Sequence, residues 1–502
     1  MMHHKRAPTF GPIFRTDSEK LLPSPGSSDD PLLAALSTVQ ERYIASNILS
    51  HKAHEEACHD FPGGNTRTVL HASPFPLTFI DGQGCELTSF DGRKYVDFLG
   101  EYTAGIYGHS NEKIAVAVLE GMKKGWNYGG PNIYERQLAR KVTERFSPSG
   151  IELVRFTNSG TESNTMALAA ALVVTGRQKI LAFKNGYHGG TISFPFPLKD
   201  VNVNLPHDFV FAPYNDIQGT KEVIASLPKN SLAAIIVECV QGSGGCIVGH
   251  KDFLQFLNKT ANELNAVFIV DEVMTSRLSY HGSSSELGLR PDLVTLGKWV
   301  GGGMTFGAFG GRKDDGIMSL FDPQVGILGH SGTFNNNIVT MAAGCAGMDI
   351  YTESEVKRLN DLGESLRTGL EAVLKKHGVH PPAKNKAGIS PEKNELESPF
   401  TGLESEPSLA SGVVAELQRH ESGGKAKNHM WVTGKGSMLC VHFSGECEMS
   451  LKALYWHHML DHGIYMAQRG FMALNLELKE EHIDRYLKAA EEFVVKWKQV
   501  LA

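Results

Sequence analysis

AVFIVDEVMTS, residues 266–276, runs through Val, Phe and Ile without a break and then stops on two acids. A run so short and so continuously apolar suits a strand buried on both faces of a mainly parallel sheet. LVRFT (153–157), KILAF (179–183) and AAIIVE (233–238) have the same make-up. From about 110 to 345 such runs alternate with helical segments, which predicts an α/β fold with helices on both faces of the sheet. Ligands of such sheets collect at the carboxyl ends of the strands.

Asp271 and Glu272 stand at one of those ends, where an ionised carboxylate is costly unless a cation meets it. The partner of Asp271 is either a core arginine or a protonated heterocyclic nitrogen on a ligand. One helix and one short strand further on, PDLVTLGKWVGGG (291–303) brings Lys298 to the same crevice. Taken alone, that lysine reads more readily as a solvated charge at the end of a strand than as an amine for covalent chemistry.

Three more stretches fall at strand ends. In RFTNSGTESNTMALAAA an alanine-rich helix follows the strand directly, and Ser159, Gly160 and Thr161 make its start an anion cradle or an ordinary N-cap. FKNGYHGGT sets Tyr187 and His188 in a glycine-rich loop, where the ring stacks on a flat cofactor or packs inward. HSGTFNNN offers the Thr333 hydroxyl. Together these residues describe a pyridoxal 5'-phosphate site: a helix start for phosphate, an aromatic face, an aspartate for the ring nitrogen and a lysine for the aldehyde.

Composition narrows the partners. The 502 residues carry a net charge of -6, with 41% hydrophobic and 21% charged residues, so nothing suggests a nucleic-acid surface. The seven cysteines are scattered, without a Cys-x-x-Cys pair, which fits a reducing compartment rather than a disulfide framework or zinc knuckle. No apolar run of about 18 residues occurs, so a membrane span is not expected and a cytoplasmic location is. Residues 1–30 read as a flexible arm. Residues 31–110 hold a helix beginning near Pro31 and a hairpin signalled by Asp91-Gly92. Residues 111–345 form the large cofactor-binding domain, and 346–502 the C-terminal small domain. Within the last, Leu359, Leu362, Leu366, Leu370 and Val373 recur at helical spacing, 381–428 reads as a solvated insertion with a short helix near 413–419, WVTGKGSMLCVHF is one strand-like run, and a helix closes the chain from about 480.

NSGTES, YHGG, VECVQGSGG, DEVMTS, TLGKWVGGGMTFGAFGGR and GTFNNN, in this order, resemble the signatures of the class III (fold type I) aminotransferases from about Pro62 to about Ala490. The branches most similar are the β-amino acid (β-phenylalanine type) aminotransferases and the glutamate-1-semialdehyde aminomutases. The resemblance implies a smaller α+β domain built from the chain ends and pyridoxal 5'-phosphate held by Lys298 as an internal aldimine. It also implies Asp271 at the ring nitrogen, Tyr187 on one ring face, Val273 under the other, and His188 and Glu238 near the cofactor. Ser159, Gly160 and Thr161 map onto the phosphate cup, with Thr333 supplied by the neighbouring subunit of a homodimer. Lys298, Asp271 and Tyr187 are the candidates for chemistry.

An aminotransferase holds a carboxylate in each of two half-reactions, of an amino donor and a keto acid acceptor, and arginine is the usual device. Arg67 in FPGGNTRTV and Arg469 in MAQRGFMALNL resemble the carboxylate-binding arginines of the β-amino acid branch. Aminomutases read differently at the second place, with Pro-Ser and a following Phe-Glu. The expectation is therefore a ping-pong aminotransferase acting on a β-amino acid; an aminomutase, a racemase or decarboxylase, and a non-enzymatic sensor are the alternatives on the same scaffold.

Overall fold

The computed structural model describes residues 31–198, 202–313, 316–381 and 428–501. The arm expected over 1–30, and the insertion with its helix near 413–419, lie outside the described residues. A seven-stranded sheet runs in the spatial order Leu153–Thr157, Gly307–Gly311, Leu293–Gly297, Val267–Asp271, Leu232–Glu238, Lys179–Phe183, Asp208–Ala212. All neighbours are parallel except Gly307–Gly311, which is antiparallel to the strands on either side.

Alternation along these apolar runs explains why they have no polar face. Ile180, Ala182, Ala234, Ile236 and Ile269 pack with Ala167, Leu168 and Ala171 of the helix Gly160–Thr175. Their neighbours Leu181, Phe183, Ile235, Val237, Phe268 and Val270 pack instead with Phe253, Leu254 and Leu257 of the helix Lys251–Leu264. Successive side chains of a strand point to opposite faces, so a strand covered on both sides is apolar throughout. Each large aliphatic side chain so buried contributes roughly 1.5–3 kcal/mol.

Register then lines up the polar ends. Asp271 lies opposite Glu238 on one side and Thr295 on the other, and Lys298 follows the last residue of the Leu293–Gly297 strand. The Gly307–Gly311 strand had no legible strand signal, because glycine has no β propensity. Its glycine has a packing reason: a Cβ at Gly307 would stand 2.1 Å from the Ser159 carbonyl oxygen.

The two ends of the chain interlock. Strands Phe79–Gln83, Glu86–Ser89 and Lys94–Asp97 form an antiparallel meander, and Ile464–Tyr465 adds in parallel beside Lys94–Asp97. Asp91-Gly92 makes the expected turn, with Gly92 at φ +77°. The helix Glu353–His377 buries Leu359, Leu362, Leu366 and Leu370, and packs against the closing helix Glu480–Leu501. WVTGKGSMLCVHF is not one strand, as its composition suggested. It folds back between Lys435 and Met438 into the antiparallel pair His429–Lys435 and Met438–Ser444. Gly436, at φ +51°, turns the chain, and a Cβ there would meet Asn360 Oδ1 at 2.4 Å. No helix among the described residues is long and apolar enough to cross a membrane.

Candidate active site

A cavity of about 590 Å³ opens at the carboxyl edge of the sheet. Ser159, Gly160, Thr161, Tyr187, His188, Glu238, Asp271, Val273, Lys298, Arg67 and Arg469 all line it. Thr333 does not. It is exposed, on a loop outside the cavity of its own chain.

The strand Leu153–Thr157 delivers the chain to a helix start. Ser159 caps it, accepting from the Glu162 amide at 3.2 Å, while the Glu162 carboxylate accepts from the Asn158 amide at 2.9 Å. Helical geometry leaves the amides of Gly160 and Thr161 without an intrahelical acceptor, and the helix dipole adds partial positive charge. Two glycines let other chain segments close on this turn. A Cβ at Gly160 would sit 2.8 Å from both γ-carbons of Val273, and one at Gly189 (φ +137°) would sit 2.5 Å from Thr161 Oγ1. The result is a cradle for a dianionic group, with Val273 held close beside it.

The floor is a buried polar network. Asp271 Oδ2 lies 2.8 Å from His188 Nδ1 and accepts from Asn164 Nδ2 at 2.8 Å; Oδ1 accepts from the Val273 amide at 3.0 Å. No arginine enters this set, so the core-arginine alternative for Asp271 falls away. Burial pulls the His188 imidazole down, but the hydrogen bond and charge of Asp271 leave it raised overall. Glu238, accepting from the Tyr187 amide at 2.9 Å and the Gly242 amide at 3.0 Å, fixes the loop that presents the Tyr187 ring. Burial pushes the Glu238 carboxyl up to about 7. Glu272 turns the other way: its oxygens accept from the amides of Ser283 and Ser284 and from the Ser284 hydroxyl, outside the site.

Lys298 has φ +56°, left-handed backbone that a side chain makes unfavourable and that its surroundings must enforce. Trp299 supplies the clamp. It is fully buried, its Nε1 donates to Ser276 Oγ at 2.9 Å, and its carbonyl accepts from Tyr107 OH at 2.8 Å. Burial lowers the Lys298 ammonium to about 8, against the opposing pull of Asp271 and Glu238. An amine poised there gives up and regains a proton near neutral pH.

The rim holds both arginines around one ring. The guanidinium carbons of Arg67 and Arg469 lie 5.5 and 5.4 Å from the Tyr102 ring centroid. Arg67 pairs with Glu101, while Arg469 reaches Ser243 Oγ at 3.2 Å and keeps a buried Nε without a hydrogen-bond partner. Sequence reasoning missed Asn164, Thr295, Glu101, Tyr102 and Ser243. A signal existed for Asn164, an amide inside an otherwise apolar helix. None existed for Glu101 and Tyr102, which lie in no periodic pattern.

The cradle, the buried floor carboxylate and the depressed lysine fit pyridoxal 5'-phosphate. The family described as aminotransferase class-III matches residues 70–381. Beta-phenylalanine transaminase of Variovorax paradoxus is 41% identical over 474 residues, spanning 92% of this chain and 96% of that protein. Its crystal structure superposes with a TM-score of 0.79 at 40% identity, covering 93% of this chain and 99% of that one. Glutamate-1-semialdehyde 2,1-aminomutase of Methanothrix thermoacetophila is 35% identical over 339 residues, 65% of this chain and 77% of that protein.

Proposed function

Because the chain belongs to the class III aminotransferases and is an enzyme that uses pyridoxal 5'-phosphate, we propose that its amino donor is a β-amino acid and its acceptor an α-keto acid, taken in turn. The observation that carries this reading is the convergence of Arg67 and Arg469 on the Tyr102 ring in the cavity that Lys298 lines. The distance from amine to carboxylate differs between the two substrates, so one fixed anchor fits only one of them, and bidentate arginine suits each carboxylate. The similarity to a beta-phenylalanine transaminase supports the same donor class.

When bound, the cofactor supplies an aldehyde that takes up the amino group and a ring that spreads the charge left on the substrate carbon. The amides of Gly160 and Thr161 would hold its phosphate, with the Ser159 and Thr161 hydroxyls at hand. Tyr187 would cover one ring face and Val273 would support the other. Asp271, pinned by His188 and Asn164, would face the ring nitrogen and favour its protonated form. Lys298 Nζ would hold the aldehyde and, once freed, would take the proton from the amine-bearing carbon of the substrate and return it on the cofactor side.

The active unit in this reading is a homodimer in which Thr333 of a second copy completes the phosphate cup. Trp126, Tyr128, Ile133 and Phe334 are all more than half exposed, and the loops that carry them adjoin: the Ile338 amide donates to the Trp126 carbonyl and Asn132 to the Asn336 carbonyl. So large an apolar surface supports a covering partner. Among the described residues no disulfide joins the cysteines, which supports a reducing, cytoplasmic setting.

The test mixes the pyridoxal form with 3-amino-3-phenylpropanoate and with α-amino acids, with and without 2-oxoglutarate or pyruvate. The β-amino acid should convert the absorbance to that of the pyridoxamine form, and a keto acid should restore it. Isomerisation of an amino-aldehyde without transfer to any keto acid would overturn the proposal.

A further inference from the structure

Glu101 and Tyr102 reach the cavity from backbone that L-residues avoid. Within Gly100–Thr103, φ is +54°, +46°, +51° and +81° in sequence, a left-handed turn in which only the first residue is glycine. Such a run persists only where its surroundings fix it. Here they do. Asp97, buried, accepts from the amides of Leu99 at 2.8 Å and Gly100 at 3.1 Å through Oδ1, and its Oδ2 lies 3.0 Å from His109 Nε2. A Cβ at Gly100 would stand 2.3 Å from the Ala473 carbonyl oxygen. Tyr102 OH donates to the Val69 carbonyl at 3.1 Å, and its ring stacks on Phe471 at 5.7 Å.

What this turn delivers is a carboxylate against one arginine of the rim and not the other. Glu101 Oε1 lies 2.5 Å from Arg67 Nη1, whereas Arg469 donates to the Ser243 hydroxyl. The Glu101 contact uses one guanidinium nitrogen, so the fork that a substrate carboxylate would occupy with both oxygens is not filled. Both side chains are about half exposed, 43% and 53%, so the pair is weak and exchangeable.

We propose that Glu101 is a resident carboxylate for Arg67 that substrate must displace, and that it determines which donors the Arg67 anchor accepts. This rests on reading Arg67 as the donor's carboxylate anchor. With no carboxylate in the substrate, Glu101 neutralises Arg67 and a plain amine enters without facing a bare cation. With one, the two carboxylates compete, and the donor's apparent affinity is lower than Arg67 alone would give.

The test uses the holoenzyme and a matched pair of donors, 3-amino-3-phenylpropanoate and 1-phenylethylamine, which share the amine and phenyl group and differ in the carboxylate. Glu101→Gln should lower the KM for the β-amino acid about three- to tenfold, leave kcat within about twofold, and raise the KM for the plain amine. Glu101→Asp, which keeps the charge but withdraws it from Arg67, should lower the KM for the β-amino acid by less. In an Arg67→Met background, Glu101→Gln should have no effect on either KM. A KM for the β-amino acid that is unchanged or raised by both Glu101 variants, while Arg67→Met raises it, would overturn the role of Glu101 and leave the anchor standing. An unchanged KM in Arg67→Met would overturn the anchor itself, and this inference with it.

Discussion

Asp271 and Glu101 are carboxylates lining one cavity, and they are held in opposite ways. Asp271 is 4% exposed and its oxygens are spoken for by His188, Asn164 and the Val273 amide. The Glu101 side chain is 53% exposed and pairs with Arg67, itself half exposed, across a contact that salt and water weaken. The same division separates the other groups: Glu238 and His188 belong to a sealed floor with Lys298 at its edge, whereas Arg67 sits on an open rim. A sealed charge fixes chemistry, because it cannot relax when a partner changes. An exposed one tunes selectivity, because it can.

On that contrast, floor variants should lose turnover and rim variants should shift apparent affinity, on a descending scale. Lys298→Ala should cost the most, at least about 10⁴-fold in kcat for any donor, since no other lysine among the described residues lines the cavity to move the proton; single-turnover absorbance measures it. Asp271→Asn should follow, with a loss in kcat of about 10³-fold and little change in KM, because the ring nitrogen loses its counter-charge but the cavity keeps its shape. Arg469→Met, at a half-buried guanidinium with a sealed Nε, should raise the KM for the keto acid by about 30- to 100-fold, in the range expected for a desolvated charge pair. Arg67→Met should raise the KM for the β-amino acid by only about 5- to 10-fold, because its exposed charge is already half compensated. Equal effects from the two arginines would erase the distinction between floor side and solvent side of the rim.

Glu238 sharpens the contrast through pH. Its folded-state carboxyl is raised from 4.5 to about 7, so the stability it contributes is complete below about pH 4.5 and is lost as pH rises through 7. Wild-type protein should therefore lose on the order of 2 kcal/mol between pH 5 and 8 that Glu238→Gln does not lose, because each tenfold change in proton affinity between the folded and unfolded chain is worth about 1.4 kcal/mol. Thermal unfolding of both proteins across that range measures it.

The floor was more legible in the sequence than the rim, for a physical reason. Burial on both faces forces VFIVD into an unbroken apolar run, and the acid that ends it stands out. A helix start needs Ser, Gly and Thr at set positions, so NSGT reads directly. Asn164 and Thr295 were passed over because a single polar residue in a helix or strand is common and its partners are distant in sequence. Glu101 was invisible: a left-handed turn imposed by Asp97 and the Ala473 carbonyl leaves no periodicity. The strand Gly307–Gly311 went unread because close approach to Ser159, not propensity, makes it glycine-rich.

Floor and rim both take their meaning from the depressed amine at the end of the Leu293–Gly297 strand being the point where cofactor and protein join. Reducing the holoenzyme with borohydride, digesting it and mapping the pyridoxyl label by mass spectrometry reads that point out. The label should fall on Lys298, and none should remain on that peptide when substrate amine is present in excess before reduction. A label on any other lysine, or a Lys298→Ala protein that still takes up reducible label, would contradict it.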